Sequence, residues 1–362
     1  MVLIIVYIKC VLRNFMLEWA KCLLLSIKTV LFCSGIFAHS FMNKNLTLIV
    51  VDDFHPIFLE TLNKDIQVEY LPNIAKEEII ARSQSFNIMA VRSKINLTQT
   101  SLQQLPNLKC IARGGAGMDN IDEAFAKSKN ITLLNAPEGN RDAVAEHTMA
   151  LLLALSNNIV KSNNEVKNFE WRREENRGWE IGGKTLGIIG FGNTGGQFAK
   201  RLSGFDCNVI AYDKYQTVNS PFAKAATLQE IQKKADIISL HIPLTPETNQ
   251  FVNAGFLNQC KKHVVLINTS RGGILNPCDV ENFLNRGKIK SVGLDVYENE
   301  NLGSFSEGEK ALFMRLISNS QVVVTPHVAG WTKESYYKIG KVLAQKINSF
   351  SINFKKNQLS VD

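Results

Sequence analysis

Three segments in the second half of the chain each run from an apolar, β-branched stretch into polar residues: VVLINTSRGGIL with Arg271, SVGLDVYENE with Asp295 and Glu300, and VVVTPHVAGWT with His327. In an open parallel α/β sheet such strand ends are where ligands bind. A guanidinium, a carboxylate and an imidazole on neighbouring strand ends can anchor an acid, orient a ring nitrogen and move a proton. That set suits redox chemistry on a hydroxy acid. Taken singly, the other histidines (His39, His55, His147, His241 and His263) read as structural.

A glycine loop offers the redox partner. KTLGIIGFGNTGGQFAKRL carries Gly190, Gly192 and Gly195 in GxGxxG spacing, entered by an apolar strand and left by an amphipathic helix with Phe198, Leu202 and Phe205. Gly190 permits the tight turn, Gly192 lets backbone approach a pyrophosphate, and Gly195 lets helix and strand pack closely. The phosphates then rest on free N–H groups at a helix N-terminus. The next strand, NVIAYDKY, ends in Asp213, 18 residues after Gly195. A carboxylate there accepts hydrogen bonds from both adenosine ribose hydroxyls and repels a 2′-phosphate, so NAD is preferred over NADP. Lys214, directly after it, weakens that discrimination.

To position these residues the chain alternates short β-branched runs with amphipathic stretches, the pattern of βαβ units and parallel sheets. The expected strands of the first half are 46–51, 66–71, 87–91, 109–112 and 131–135, with helices over 77–84 and 122–129. AVAEHTMALLLAL (143–155) is apolar nearly all round and predicts a buried helix. The polar segment 161–178, with WRREENRG, reads as an exposed helix and loop. Six further strands are expected at 185–189, 208–212, 236–240, 263–268, 291–296 and 321–325.

The 362 residues are 45% hydrophobic and 20% charged, a globular mixture that excludes disordered, collagen-like and disulfide-stapled classes and suffices for two domains. The formal charge of +8 divides unevenly: Lys9, Arg13, Lys21 and Lys28 against Glu18 put +3 in residues 1–41 and leave +5 on the other 321. A body so weakly basic, without a Lys/Arg block, suits an anionic small molecule and not nucleic acid. Residues 1–41 are apolar and dotted with cations, like a signal peptide or anchor, but the run Leu23 to Ala38 is short for a membrane span and contains Lys28. They are expected to be a dispensable extension or start-site artefact, with the fold beginning near Met42 and no membrane association. Cys110, Cys207, Cys260 and Cys278 are scattered without a CxxC, as expected of reduced cytoplasmic thiols with no metal site.

GIIGFGNTGG, HIPLTPET, INTSRGG, SVGLDVYENE and TPHVAG stand in the order and spacing of the D-isomer-specific 2-hydroxyacid dehydrogenases, and the resemblance covers residues 46 to 340. It implies two Rossmann- or flavodoxin-like, doubly wound parallel-sheet domains, the nucleotide domain being inserted in the substrate domain. On this chain that gives 42–140 plus 330–362 for substrate and 141–329 for NAD. The resemblance assigns catalysis to Arg271, which binds the carboxylate and polarises the 2-oxo group, to His327 as acid/base, and to Glu300 as the partner that fixes its tautomer. Where the family often has proline after this glutamate the chain has Asn301, and Glu298 remains an alternative to Glu300. Asp295 is implied to contact the nicotinamide carboxamide. Further cofactor contacts are implied at Gly190, Phe191, Gly192, Asn193, Thr194, Gly195, Asp213, His241, Pro243, Thr248 and Thr269. CIARGGAGMDNID resembles the loop that receives the substrate carboxylate on Gly115, Ala116 and Gly117. A homodimer built on the nucleotide domains is also implied, and no metal is needed.

AVRSKINLT, with Arg92, Ser93 and Lys94, and the ARGGAG segment, with Arg113, resemble the phosphoglycerate branch, in which cleft cations meet a phosphate. The expected reaction is oxidation of 3-phospho-D-glycerate to 3-phosphooxypyruvate, the first step of serine synthesis. The alternatives are a glyoxylate/hydroxypyruvate reductase or another D-2-hydroxyacid dehydrogenase and, in a different class, a dinucleotide-sensing corepressor-like protein. The chain stops soon after the last motif, so no C-terminal regulatory domain is expected. NAPEGNRDAVAEH resembles the interdomain segment, and its Arg141-Asp142 pair has no assigned chemistry.

Overall fold

β-Branched and aliphatic runs place β1 (Thr47–Val50), β2 (Gln67–Tyr70), β3 (Ile88–Val91), β4 (Cys110–Arg113) and β5 (Thr132–Asn135) in one all-parallel sheet of order β2-β1-β3-β4-β5. β3 is buried along its whole length, as expected of a central parallel strand covered on both faces. The second sheet has the order β12-β11-β10-β9-β6-β7-β8. It contains β6 (Thr185–Ile189), β7 (Asn208–Tyr212), β8 (Lys224–Ala225), β9 (Ile237–Leu240), β10 (Val264–Asn268), β11 (Ile289–Leu294) and β12 (Val322–Val324), again all parallel. The strand order reverses at β6, which pairs with β7 on one side and β9 on the other. A crevice therefore opens beyond the carboxyl end of β6. The computed structural model describes residues 46–359, and the extension expected over 1–41 lies outside the described residues.

The first sheet carries α1 (Ile57–Thr61), α2 (Lys76–Ala81), α3 (Gln99–Gln103) and α4 (Glu123–Ser128). The chain then crosses to the second lobe in α5 (Pro137–Ser156) and α6 (Ile159–Lys167). α7 (Asn193–Arg201), α8 (Leu228–Lys234), α9 (Ala254–Gln259), α10 (Pro277–Asn285) and α11 (Glu307–Ile317) cover the second sheet, and α12 (Lys333–Leu359) returns to pack on α1 and α5. Local chemistry sets these starts: Thr227 with Glu230, and Ser306 with Glu309, form capping boxes on α8 and α11, and Asn276 caps α10 with Pro277 at its first position.

α5 is the shared member. It begins at Pro137, six residues before the expected apolar run at Ala143, because Pro137 opens a first turn whose inner face meets α12. A Cβ on Gly139 would lie 2.7 Å from the Ile339 backbone, so the two helices cross almost in contact. Lys346 of α12 donates to Glu138 (2.9 Å) and to the Asn135 carbonyl (2.9 Å). Asp142 accepts from Lys338 of α12 (3.0 Å) and from Arg201 of α7 (3.4 Å), so one carboxylate is held by cations of both lobes.

Two other expectations are corrected. The two-residue β8 gave no pattern to read, and β11 ends at Leu294, two residues short of the expected Val296, which leaves Asp295 beyond the ladder. Among the described residues no single helix is long and apolar enough to cross a membrane; α5 and α6 would qualify only together and are bent by 61°.

Candidate active site

The glycine loop follows β6. Gly190 has φ +92°, and a Cβ there would lie 2.4 Å from the His241 carbonyl oxygen. A Cβ on Gly195 would lie 2.1 Å from the Gly190 carbonyl oxygen, so only glycine allows α7 to pack this close to its strand. Gly192, the residue before α7, faces open space instead, with nothing within 4 Å of a Cβ position. An uncovered helix N-terminus carrying Asn193, Thr194 and Gly195 in its first turn fits a diphosphate. Asp213, at the end of β7, is tied to the same loop: Oδ2 accepts from Phe191 N (2.8 Å) and Oδ1 from Tyr215 N (2.9 Å) and Gln216 N (3.2 Å). Gln216 closes the bridge by donating to the Phe191 carbonyl (2.9 Å). Lys214 is drawn off into an ion pair with Glu247.

Four other residues expected at the cofactor lie at different depths. The His241 carbonyl borders the Gly190 turn, but its ring packs on Phe198 and bonds Ser239 Oγ (2.9 Å). Burial pushes its pKa down to about 3, so the imidazole is neutral. Thr248 donates to the Pro243 carbonyl (2.6 Å) and so shapes the loop after β9. Thr269 is buried and bonds Thr148 of α5 (3.0 Å).

The residues expected to be catalytic follow three strands in register, Asn268 opposite Leu294 and Leu294 opposite Val324. Arg271, Asp295 and His327 each follow one of these ends within three residues. Asn268 is fully buried and turns the first of these loops: its Oδ1 accepts from Ser270 N (3.0 Å) and its Nδ2 donates to the Arg271 carbonyl (2.8 Å). His327 has a left-handed φ of +56°, unusual for a residue with a Cβ. Its Nδ1 lies 2.8 Å from Glu300 Oε2. An ionised carboxylate only accepts, so Nδ1 carries the proton and Nε2 is left to exchange one. Glu300, and not Glu298, stands at the imidazole.

Asp295 departs from expectation. Its side chain has no exposed surface, and both oxygens are engaged within the chain: Oδ1 with Thr325 Oγ1 (2.6 Å) and Val328 N (2.9 Å), Oδ2 with Ala329 N (2.8 Å). It is thus closed to a nicotinamide carboxamide in this conformation and instead holds the strained turn that carries His327. His147 of α5 supports it, since Nε2 lies 2.9 Å from Thr325 Oγ1, which already donates to Asp295. Burial alone would raise the Asp295 carboxyl, but His147, Thr325, Ala329 and Val328 together hold it below the ordinary carboxylate range. A depressed carboxyl contributes stability that is complete above its unfolded value and is lost as pH falls through the folded one. Asp295→Asn should therefore lower unfolding free energy at neutral pH by about 3 kcal/mol. The gap to the parent protein should close below roughly pH 4. Urea unfolding of both proteins at several pH values checks this, and a gap unchanged into strong acid would contradict it.

Arg271 crosses to the other lobe. Its Nε (3.0 Å) and Nη2 (2.7 Å) donate to Asp119 Oδ2, and Nη1 donates to the Ser270 carbonyl (2.6 Å). Burial opposes ionisation of Asp119, but the Arg271 fork and the nearby Arg113 charge lower its pKa. Arg271 also borders the expected carboxylate loop, where a Cβ on Gly117 would be 1.7 Å from its Nη2. Arg113 lines the same loop at Gly115 (1.7 Å by the same measure) and Arg92 lines it at Gly114 (3.0 Å to Cγ). Ala116 lies between, its carbonyl accepting from Asn135 Nδ2 (2.7 Å). The Arg92 guanidinium stacks on Trp331 (4.5 Å), four residues past His327. Arg113 forms no ion pair among the described residues, although the charges of Asp119 and Asp52 act on it. Its Nε is buried and unbonded, and burial, with the charges of Arg271 and Arg92, lowers its pKa. Lys94 reaches only the Pro72 carbonyl (2.8 Å).

Sequence reasoning missed Asp119, Asn268 and Thr325 and read His147 as structural. Asp119 and Asn268 stand inside quoted motifs, so the signal was present without a partner to give it meaning.

A parallel sheet with a glycine loop tied to the carboxylate of Asp213, joined to a lobe that brings arginines near a histidine–carboxylate pair, has the architecture of a dinucleotide-binding α/β protein. Residues 149–329 match the family model described as D-isomer specific 2-hydroxyacid dehydrogenase, NAD binding domain. The chain is 33% identical over 304 residues to the D-3-phosphoglycerate dehydrogenase of Methanocaldococcus jannaschii, covering 83% of this chain and 56% of that one. It is 34% identical to the hydroxypyruvate reductase of Thermotoga maritima, covering 79% and 92%. A crystal structure of D-lactate dehydrogenase from Aquifex aeolicus, complexed with NAD and lactic acid, superimposes with a TM-score of 0.72 at 25% identity over 87% of this chain and 98% of that one. The chain belongs to the D-isomer specific 2-hydroxyacid dehydrogenase family. It spans about half the length of the D-3-phosphoglycerate dehydrogenases it matches first.

Proposed function

We propose that this protein is an NAD-dependent dehydrogenase that oxidises 3-phospho-D-glycerate to 3-phosphooxypyruvate. The observation that carries the substrate is Arg113, a half-buried cation whose buried Nε has no hydrogen bond and which pairs with no carboxylate among the described residues, placed between Arg92 and Arg271 around one glycine loop. Arg271 and the Gly115–Gly117 segment hold the substrate carboxylate, while Arg113 and Arg92 meet a second anionic group. His327 Nε2 takes the proton of the C2 hydroxyl, and Glu300 stabilises the imidazolium that forms. NAD, when bound, accepts the hydride from C2. In the reverse direction the same imidazole returns the proton to the 2-oxo group.

The test is NADH formation on 3-phospho-D-glycerate, D-glycerate and D-lactate. The phosphorylated acid should be preferred, and Arg113→Gln should raise its KM by about tenfold or more while changing D-lactate kinetics little. Fastest turnover on an unphosphorylated acid would reject the substrate. Absence of turnover together with tight NADH binding would favour the corepressor-like reading. A hydroxypyruvate reductase is the second reading, favoured by the match that covers 92% of the Thermotoga maritima relative. Hydroxypyruvate reduction belongs in the same panel. The reading includes a cytoplasmic homodimer. Supporting it, Phe169 and Trp171 stand almost wholly exposed after α6, and the described cysteines are free, with burial pushing the Cys260 thiol up to about 12.

A further inference from the structure

The charge of Arg141 acts on Glu138 and Asp142, but the residue forms no ion pair with either. It lies in the second turn of α5, its Nε is buried without a hydrogen bond, and none of the ion pairs among the described residues includes it. Its neighbours are fully used, Glu138 by Lys346 and Asp142 by Lys338 and Arg201. The side chain instead lines the open cleft over α7, together with Gly192, Asn193, Gly196, Gln197 and Lys200. GFGNTGG contains no cation, so the loop itself offers only backbone N–H groups and the partial charge of a nine-residue helix. Arg141 and Lys200 are the cations lining this cleft.

We propose that Arg141 binds the diphosphate of the dinucleotide, reaching it from the interlobe helix and not from the nucleotide sheet. The proposal rests on the NAD reading of the glycine loop. The orphaned Nε and the uncovered face of Gly192 border one cleft, and a diphosphate there supplies the acceptors that Arg141 lacks. Because α5 is clamped to α12 at Gly139, Glu138 and Asp142, a dinucleotide held by Arg141 also ties the nucleotide sheet to the helix pair that carries the substrate lobe.

The test uses the full chain with Arg141→Gln and Arg141→Lys, and measures Kd for NADH, ADP-ribose, NADPH and adenosine, the last by competition. Arg141→Gln should raise the Kd of NADH and of ADP-ribose by about ten- to a hundredfold, and leave adenosine, which lacks the diphosphate, unchanged. Arg141→Lys should fall between, since it keeps the charge without the fork. The thermal midpoint of the ligand-free variants should match that of the parent, which separates lost binding from lost folding. Equal affinities of parent and Arg141→Gln for ADP-ribose would overturn the proposal, as would equal losses for ADP-ribose and adenosine. Loss confined to NADPH would place Arg141 at the ribose and overturn it too. A parent protein that binds neither NADH nor ADP-ribose would overturn the NAD reading and this proposal with it.

Discussion

His327→Ala should lower kcat by about a hundred- to ten-thousandfold while leaving the Kd of NADH nearly unchanged. The split follows from the geometry: the imidazole hangs on the turn after β12 and bonds only Glu300 through its side chain, while the dinucleotide loop is built from β6, α7 and Asp213. Glu300→Gln should produce a smaller loss, because an amide oxygen still accepts from Nδ1–H but no longer offsets the charge of the imidazolium. Stopped-flow turnover beside NADH titration reads both quantities. A His327→Ala protein of near-normal rate would remove the histidine from proton transfer, and one that had lost NADH affinity would make it a structural residue.

Arg271→Lys should reduce kcat/KM by about a thousandfold, although the charge is kept. Arg271 spends donors on Asp119 and Ser270 simultaneously, which requires a planar fork, and it borders Gly117. A lysine ammonium reaches one of these positions at a time. The loss should appear in both KM and kcat, because in the proposed reaction the same fork binds the carboxylate and polarises the 2-oxo group. Steady-state kinetics on the preferred acid, with the NADH Kd as control, measures it. A loss of less than about tenfold would mean that charge alone suffices and that the Asp119 contact is incidental.

The periodic features of this fold could be read along the chain. β6 and β7 begin and end at the expected residues, since an apolar run bounded by Gly or Asp is a local signal. Arg271 and His327 likewise stand three residues past strand ends, and Glu300 stands six past the end of β11. Contacts across long separations could not be read this way. Asp119 meets Arg271 across 152 residues, and its motif gave no hint of that partner. The family resemblance implies that Asp295 contacts the nicotinamide carboxamide. The structure turns it inward, where three donors from the His327 turn and its flank satisfy it. The start of α5 was obscured by Glu138 and Asp142, whose partners lie on other helices, and by Asn140 and Arg141, whose Oδ1 and Nε have none among the described residues.

The chain passes between the two lobes twice, once into α5 and once from β12 into α12. Two tethers leave a line as the easiest axis of rotation, as two pins do for a door. His327 sits on the second tether and would travel little in such a rotation, whereas Arg271 and Asp119, standing on opposite leaves, would part. His327 thus stands on a connection between the lobes, whereas the Arg271–Asp119 ion pair spans them.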